Sequence, residues 1–272
     1  ERGAVHVTIA SAQHPPYGLF VAINSTLTHA SAATLEQLRI LVVAPEVERQ
    51  VGLSLKLRRL FPTLRSLDVV LAPATKIAEL KRKLINFHVP VTALWASPLL
   101  WIHHALPPKA RRPQVICERR RTHLPREARA SLRAQLRRTL LLPEDAVVNR
   151  DLGPVFRAHL HGKAAAVFDD CSVTVDTWIN YRHPQFKLAF GERGRATCAL
   201  DAGALVINTR AWKKEEVSAR LMEFVGLQRR TDQLYLHAAH ASDPAVAAQI
   251  VLDKRSVRID GRHLVRGLAR EA

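Results

Sequence analysis

Short β-branched runs alternate with helix-length stretches over about the first ninety residues, and this rhythm leaves the chain few folds to adopt. AVHVTIAS (residues 4–11) precedes GLFVAINSTLTHAS (18–31), LRILVVAP (38–45) precedes EVERQVGLSLKLRRLF (46–61), and LDVVLAP (67–73) closes the series. Strand, helix, strand, helix, strand is the order of βαβ units. Strands apolar on both faces need helices on both sides of a parallel sheet, and such sheets bind ligands at the carboxyl ends of their strands. The expectation is therefore an α/β chain with a mostly parallel, Rossmann-like central sheet. No repeat or low-complexity linker divides the sequence, so a single domain over residues 1–272 is predicted.

Composition narrows the function. With 272 residues and 47% hydrophobic content the chain can bury a full core, which excludes a disordered protein. The longest apolar stretch, VPVTALWASPLLWIHHALPP (89–108), is cut by prolines and histidines, short of the ~18–20 apolar residues of a membrane helix. A formal net charge of +17 attracts any polyanion. No zinc-finger spacing, aromatic RNA-binding signature or helix-turn-helix pattern accompanies the arginine clusters, which argues against specific nucleic-acid binding. Cys117, Cys171 and Cys198 form no CxxC and cannot all pair within one chain. A Cys171–Cys198 bridge requires an oxidising compartment; buried free thiols are the simpler expectation. The first residue is Glu1, so a fragment is expected, with any targeting signal or anchor outside it.

One stretch raises a chemical question. LRRTLLLPEDAVVNRDLGPVF (136–156) reads as a buried strand stopped by Glu144 and Asp145. Carboxylates at the end of a buried strand are costly unless paired, and a divalent cation on a diphosphate is one such partner. A solvated turn is the other reading. Residues 86–138 carry the weakest periodicity and are predicted to be irregular. Strands follow at AAAVFDD (164–170) and ALVINT (204–209), then one amphipathic helix over AWKKEEVSARLMEFVGLQ (211–228) with Val217, Leu221, Phe224 and Val225 on one face. The sequon at Asn24 falls inside a predicted helix packed on the sheet, so no glycan is expected. His103 and His104 are adjacent, point in different directions on that reading, and are taken as structural.

Several stretches, in order, resemble family 8 glycosyltransferases, particularly the plant-type galacturonosyltransferase-like members and the glycogenin-like retaining enzymes. VHVTIAS with GLFVAINSTLTHA looks like the family's first strand and helix, and RRRTHLP like the arginine-bearing segment before the metal strand, with Arg121 at the arginine. LLLPEDAVVNRDLGPVF resembles the strand, acidic DxD-type turn and following Asp-Leu segment. HGKAAAVFDDC resembles the next strand, CALDAGALVINTRAWKKEEVSARLMEF the donor-sugar turn, strand and helix, TDQLYLHAA the Asp-Gln helix start, and VLDKRSV the later Leu-Asp segment.

The resemblance implies a GT-A fold that takes a hexose or hexuronic acid from a UDP-sugar to a glycan acceptor with retention, in pectin-like polysaccharide synthesis. It implies Mn2+ (or Mg2+) on the diphosphate, with Asp145 as ligand and Glu144 beside it. Pro143, where the family's first metal aspartate belongs, cannot ligate. The family's C-terminal histidine ligand motif has no counterpart, since His263 and Gly267 are wrongly spaced, and Gln13 and His14 stand where an aspartate contacts uracil. Arg121, Asp169 and the Asp201-Ala202-Gly203 turn are implied in donor binding, Asp232 and Gln233 at the anomeric carbon, and Asp170 beside Asp169 at sugar hydroxyls. For each carboxylate an ordinary cap or turn is the rival role, and Asp232, after Thr231 at a predicted helix start, is a natural cap. Two alternatives stay open: a degenerate scaffold that assembles with related transferases, and arginines such as Arg121 or Arg150 replacing the metal. The resemblance places the chain in the Golgi lumen, or at its membrane through an anchor elsewhere.

Overall fold

The computed structural model describes residues 4–11, 16–44, 47–62, 64, 66–91, 98–106, 137–174, 198–235, 256–259 and 264–266. The predicted βαβ series is present: β1 Val5–Ala10, α1 Tyr17–His29, a short α2 Ala32–Leu35, β2 Leu38–Ala44, α3 Val47–Leu60 and β3 Leu67–Leu71. The next helix, α4 Ala74–Asn86, buries Ile77, Leu80 and Leu84 on one stripe. A 3-10 turn at Pro98–Leu100 and α5 Ile102–Ala105 follow, then β4 Arg138–Leu142, β5 Ala146–Val148 and α6 Gly153–Arg157. The remaining elements are β6 Ala165–Thr174, β7 Cys198–Asn208, α7 Thr209–Lys214, α8 Val217–Tyr235, β8 Ser256–Ile259 and β9 Leu264–Arg266.

Seven strands form one sheet in the order β3-β2-β1-β4-β7-β6-β8. Every neighbouring pair is parallel except the two made by β7, which runs against both β4 and β6. Because β7 is reversed, its amino-terminal half lies at the carboxyl edge of the other strands. Side chains of β1 alternate between two cores: Val5, Val7 and Ile9 join Leu19 and Ile23 of α1 and Leu53 and Leu57 of α3, whereas Ala10 packs with Leu80 and Leu84 of α4 and Val217, Leu221 and Val225 of α8. This two-sided burial is what apolar runs without polar alternation encode, and each fully buried aliphatic contributes about 1.5–3 kcal/mol.

The predicted helix over residues 211–228 is two helices. α7 ends at Lys214, Glu216 takes a positive φ of 52°, and α8 begins at Val217. The break lets Ser218 turn inward. Its hydroxyl donates to Leu99 O (2.7 Å), accepts from Trp212 Nε1 (2.9 Å) and lies 2.9 Å from His103 Nδ1. A hydroxyl has one proton, so His103 must donate from Nδ1. Burial, with the nearby His104, Lys213 and Lys76 charges, pushes the His103 pKa down to about 3, and the ring stays neutral. His103 is structural as expected, but not for the expected reason. The two adjacent rings do not diverge; their centroids are 3.7 Å apart.

Candidate functional site

β4 stops at Pro143, which has no N–H to continue a ladder, and Ala146 N–H closes the acidic turn on Pro143 O at 3.2 Å. Glu144 is buried at 7% exposure, and Asp145 is half-buried. The turn rests on the start of α1. A Cβ at Gly18 would lie 2.6 Å from Glu144 O and 3.3 Å from its carbonyl carbon, so only glycine admits this approach.

The chain after the turn is fastened along α1 and α2. Val148 N–H donates to Ser25 Oγ (3.0 Å), and Thr34 Oγ1 donates to Asp151 Oδ2 (3.1 Å). Asp151 also accepts from Gly153 N–H at 3.0 Å. Burial alone would raise the Asp151 pKa, but these bonds and two from Ser31, one from its side chain and one from its backbone, outweigh it and hold the carboxyl below its ordinary range. Arg138, at the other end of β4, donates to Phe156 O (2.7 Å) and Ala158 O (2.9 Å) at the close of α6. The Asp-Leu part of the sequence motif is thus a brace that fixes where Asp145 lies. Residue type alone could not separate this role from ligand binding.

The far half of the edge is built by β6 and β7. Val167 pairs with Leu205 and Phe168 with Asp201, so Ala202, Gly203 and Ala204 face no partner on β6. The predicted donor-sugar turn is therefore a bulge inside one strand, a device that re-aims backbone at the rim of a sheet. Asp169 pairs with Leu200 and Asp170 with Ala199, which places both beside Asp201. A disulfide joins Cys171 to Cys198 with Cα atoms 4.4 Å apart, correcting the expectation of free thiols. The two strands bring the cysteines within bridging reach, a proximity that a separation of 27 residues conceals.

The register thus gathers Glu144, Asp145, Asp169, Asp170 and Asp201–Gly203 at the carboxyl edge of one sheet. Asp232 and Gln233 lie in the last turns of α8, outside the sheet. Asp232 is within a continuous helix and not at a helix start, so it does not cap one. Arg121, Gln13, His14 and His263 lie outside the described residues. In the sequon, Asn24 is exposed on α1 while Thr26 is buried and bonded to Ala22 O at 2.7 Å.

Pro143 supplies no donor, and no group of three or more His, Cys, Asp or Glu among the described residues could hold a metal ion.

Comparison decides the family. The sequence profile of Glycosyl transferase family 8 matches residues 6–242, most of the chain. The chain belongs to glycosyltransferase family 8. Similar solved structures include mouse xyloside xylosyltransferase 1 (17% identity, 94% of this chain and 85% of that one, TM-score 0.54). A galactosyltransferase, LgtC, solved with donor and acceptor sugar analogues, is also similar (13% identity, 95% and 74%, TM-score 0.58). The bifunctional glycosyltransferase WbbM is 14% identical over 94% of this chain with a TM-score of 0.58, and the chain spans 39% of its length. No curated protein sequence matches. The family 8 chain described here has the GT-A fold of these enzymes, and its family transfers glycosyl groups from a nucleotide-sugar donor to a glycan acceptor.

Proposed function

We propose that this family 8 chain is a retaining glycosyltransferase that moves a hexose or hexuronic acid from a UDP-sugar to a glycan acceptor, an acidic pectin-like one suiting its +17 charge. The observation that carries the reading is the edge itself: the acidic turn after β4, the β7 bulge and the ends of β6 share one side of the sheet, where open α/β sheets bind nucleotides. Breaking the glycosidic bond leaves negative charge on the departing diphosphate. The positive end of α1, seated on the turn, lies where that charge would collect, and Arg150, exposed just past β5, adds a guanidinium to the same segment. Asp169, Asp170 and the bulge then flank the sugar. The disulfide supports work in an oxidising compartment.

A second reading is a degenerate scaffold that assembles with an active relative, and Pro143 at a ligand position favours it. Calorimetric titration of UDP, with and without Mn2+, on the wild-type chain and on Asp145→Ala separates the readings. UDP binding that survives without Mn2+, followed by sugar transfer in a donor screen, supports the proposal. Binding strengthened by Mn2+ and abolished in Asp145→Ala restores a metal role with Asp145 as one ligand, completed by residues outside those described. Absence of UDP binding overturns the enzyme reading and leaves the scaffold.

A further inference from the structure

The layer of helices α1 to α3 carries an exposed apolar surface. The large hydrophobic side chains most exposed among the described residues are Tyr17 (70%), Val21 (50%), Leu35 (42%), Val51 (57%), Leu55 (57%), Leu60 (54%) and Ile85 (58%). All but Ile85 belong to α1, α2 or α3. α1 and α3 pack their opposite faces into the same core, with Leu19 and Ile23 beside Leu53 and Leu57, so their outer faces look the same way. On α3 the outward positions are one turn apart: Val51, then Leu55, then the exposed Arg58 and Arg59, with Lys56 at the flank. Among the described residues the inner stripe joins the core, while Val51 and Leu55 of the outer stripe stay exposed.

We infer that this face docks on an anionic phospholipid bilayer. Exposed aliphatic groups followed by a cluster of cations on one helical face form the pattern of interfacial membrane binding, in which apolar side chains enter the headgroup boundary and cations meet lipid phosphates. Charge chooses the occupant. A chain of net charge +17 repels a second copy of itself and attracts an anionic surface. Of the carboxylates near the face, Glu36 after α2 and Asp68 on β3 lie at its margins, and Glu48, three residues before Val51 on α3, is one acidic position against Lys56, Arg58 and Arg59 on the same helix. The patch begins at Tyr17, one residue before the glycine seated on the acidic turn, so a chain lying on a bilayer by this face opens its nucleotide-binding edge along the membrane plane.

The test is co-sedimentation of the whole chain with vesicles of phosphatidylcholine containing about 30% phosphatidylglycerol, at about 0.1 M salt, against pure phosphatidylcholine vesicles. The wild type partitions onto the anionic vesicles and far less onto the neutral ones. Val51→Glu with Leu55→Glu lowers that partition about tenfold, and Arg58→Glu with Arg59→Glu does the same. Because all four side chains are exposed, circular dichroism and melting temperature stay at wild-type values. Absence of wild-type binding overturns the inference, and so does wild-type partition of either double variant, which would mark the attraction as generic charge not borne by this face. A wild type that dimerises in sedimentation equilibrium and becomes monomeric in Val51→Glu with Leu55→Glu overturns it in favour of a second copy.

Discussion

Gly18→Ala is the sharpest single perturbation of the proposed site. The added methyl would stand 2.6 Å from Glu144 O, whereas ordinary van der Waals contact begins near 3.4 Å, so α1 and the acidic turn must separate by about 0.8 Å. The obstacle is backbone and has no rotamer by which to yield. Overpacking of this kind costs about 1–3 kcal/mol. Replacing glycine by alanine in a helix returns at most ~1 kcal/mol, and less in a first turn. The net expectation is a loss of about 1–2 kcal/mol, which for a chain of this size lowers the melting temperature by roughly 2–8 °C. The same displacement moves Asp145 away from the start of α1, and sub-ångström misplacement of a binding group costs on the order of tenfold or more in affinity. Gly52→Ala supplies the control. That glycine is exposed on α3, a Cβ there meets nothing within 4 Å, and alanine should raise stability by about 0.5–1 kcal/mol. Differential scanning calorimetry and UDP titration on the two variants decide the matter. If Gly18→Ala melts higher, as Gly52→Ala should, and binds UDP like the wild type, the seat of the turn on α1 is not what positions the site.

Ser218→Ala leaves Trp212 Nε1, Leu99 O and His103 Nδ1 without their shared partner and should cost about 2–4 kcal/mol in urea denaturation; a loss below ~1 kcal/mol would mean water replaces the hydroxyl. His6, buried on β1 and facing the Arg39 charge, has its pKa lowered from 6.5 to about 4. The folded ring is neutral while the unfolded one gains a proton below 6.5, so stability is full above that pH and falls as pH drops towards 4. At ~1.4 kcal/mol per pH unit this amounts to about 3 kcal/mol, and His6→Gln should flatten part of the pH dependence of the urea midpoint in that window; an unchanged slope would assign it to groups other than His6, His103 and His104 among them. Breaking the disulfide with Cys171→Ser should destabilise by about 3–4 kcal/mol for a 27-residue separation, seen as a lower melting temperature that reductant does not lower further. A melting temperature equal to the oxidised wild type's would show that the β6–β7 ladder holds the edge without it.

The βαβ order and the two-sided burial of β1 and β2 were legible because they follow from local chemistry: β-branched runs and helical periodicity. The same chemistry hid other features. Glu216 looks like any helix-forming residue, and only the buried Ser218 knot explains why the helix breaks there. Asp151 reads as one more acidic residue of a motif until Thr34, 117 positions away, is found donating to it.

By itself, then, the sequence determined the strands of the central sheet up to β7, the helices α1 and α3 and the family, since these rest on periodicity and on residue types in order. Only the tertiary structure decided which carboxylates share an edge, that Ala202 and Gly203 form a bulge, that Cys171 meets Cys198, and that Gly18 lies under Glu144. Those are distances between segments far apart along the chain, set by strand register and packing of the whole sheet, and local pattern does not encode them.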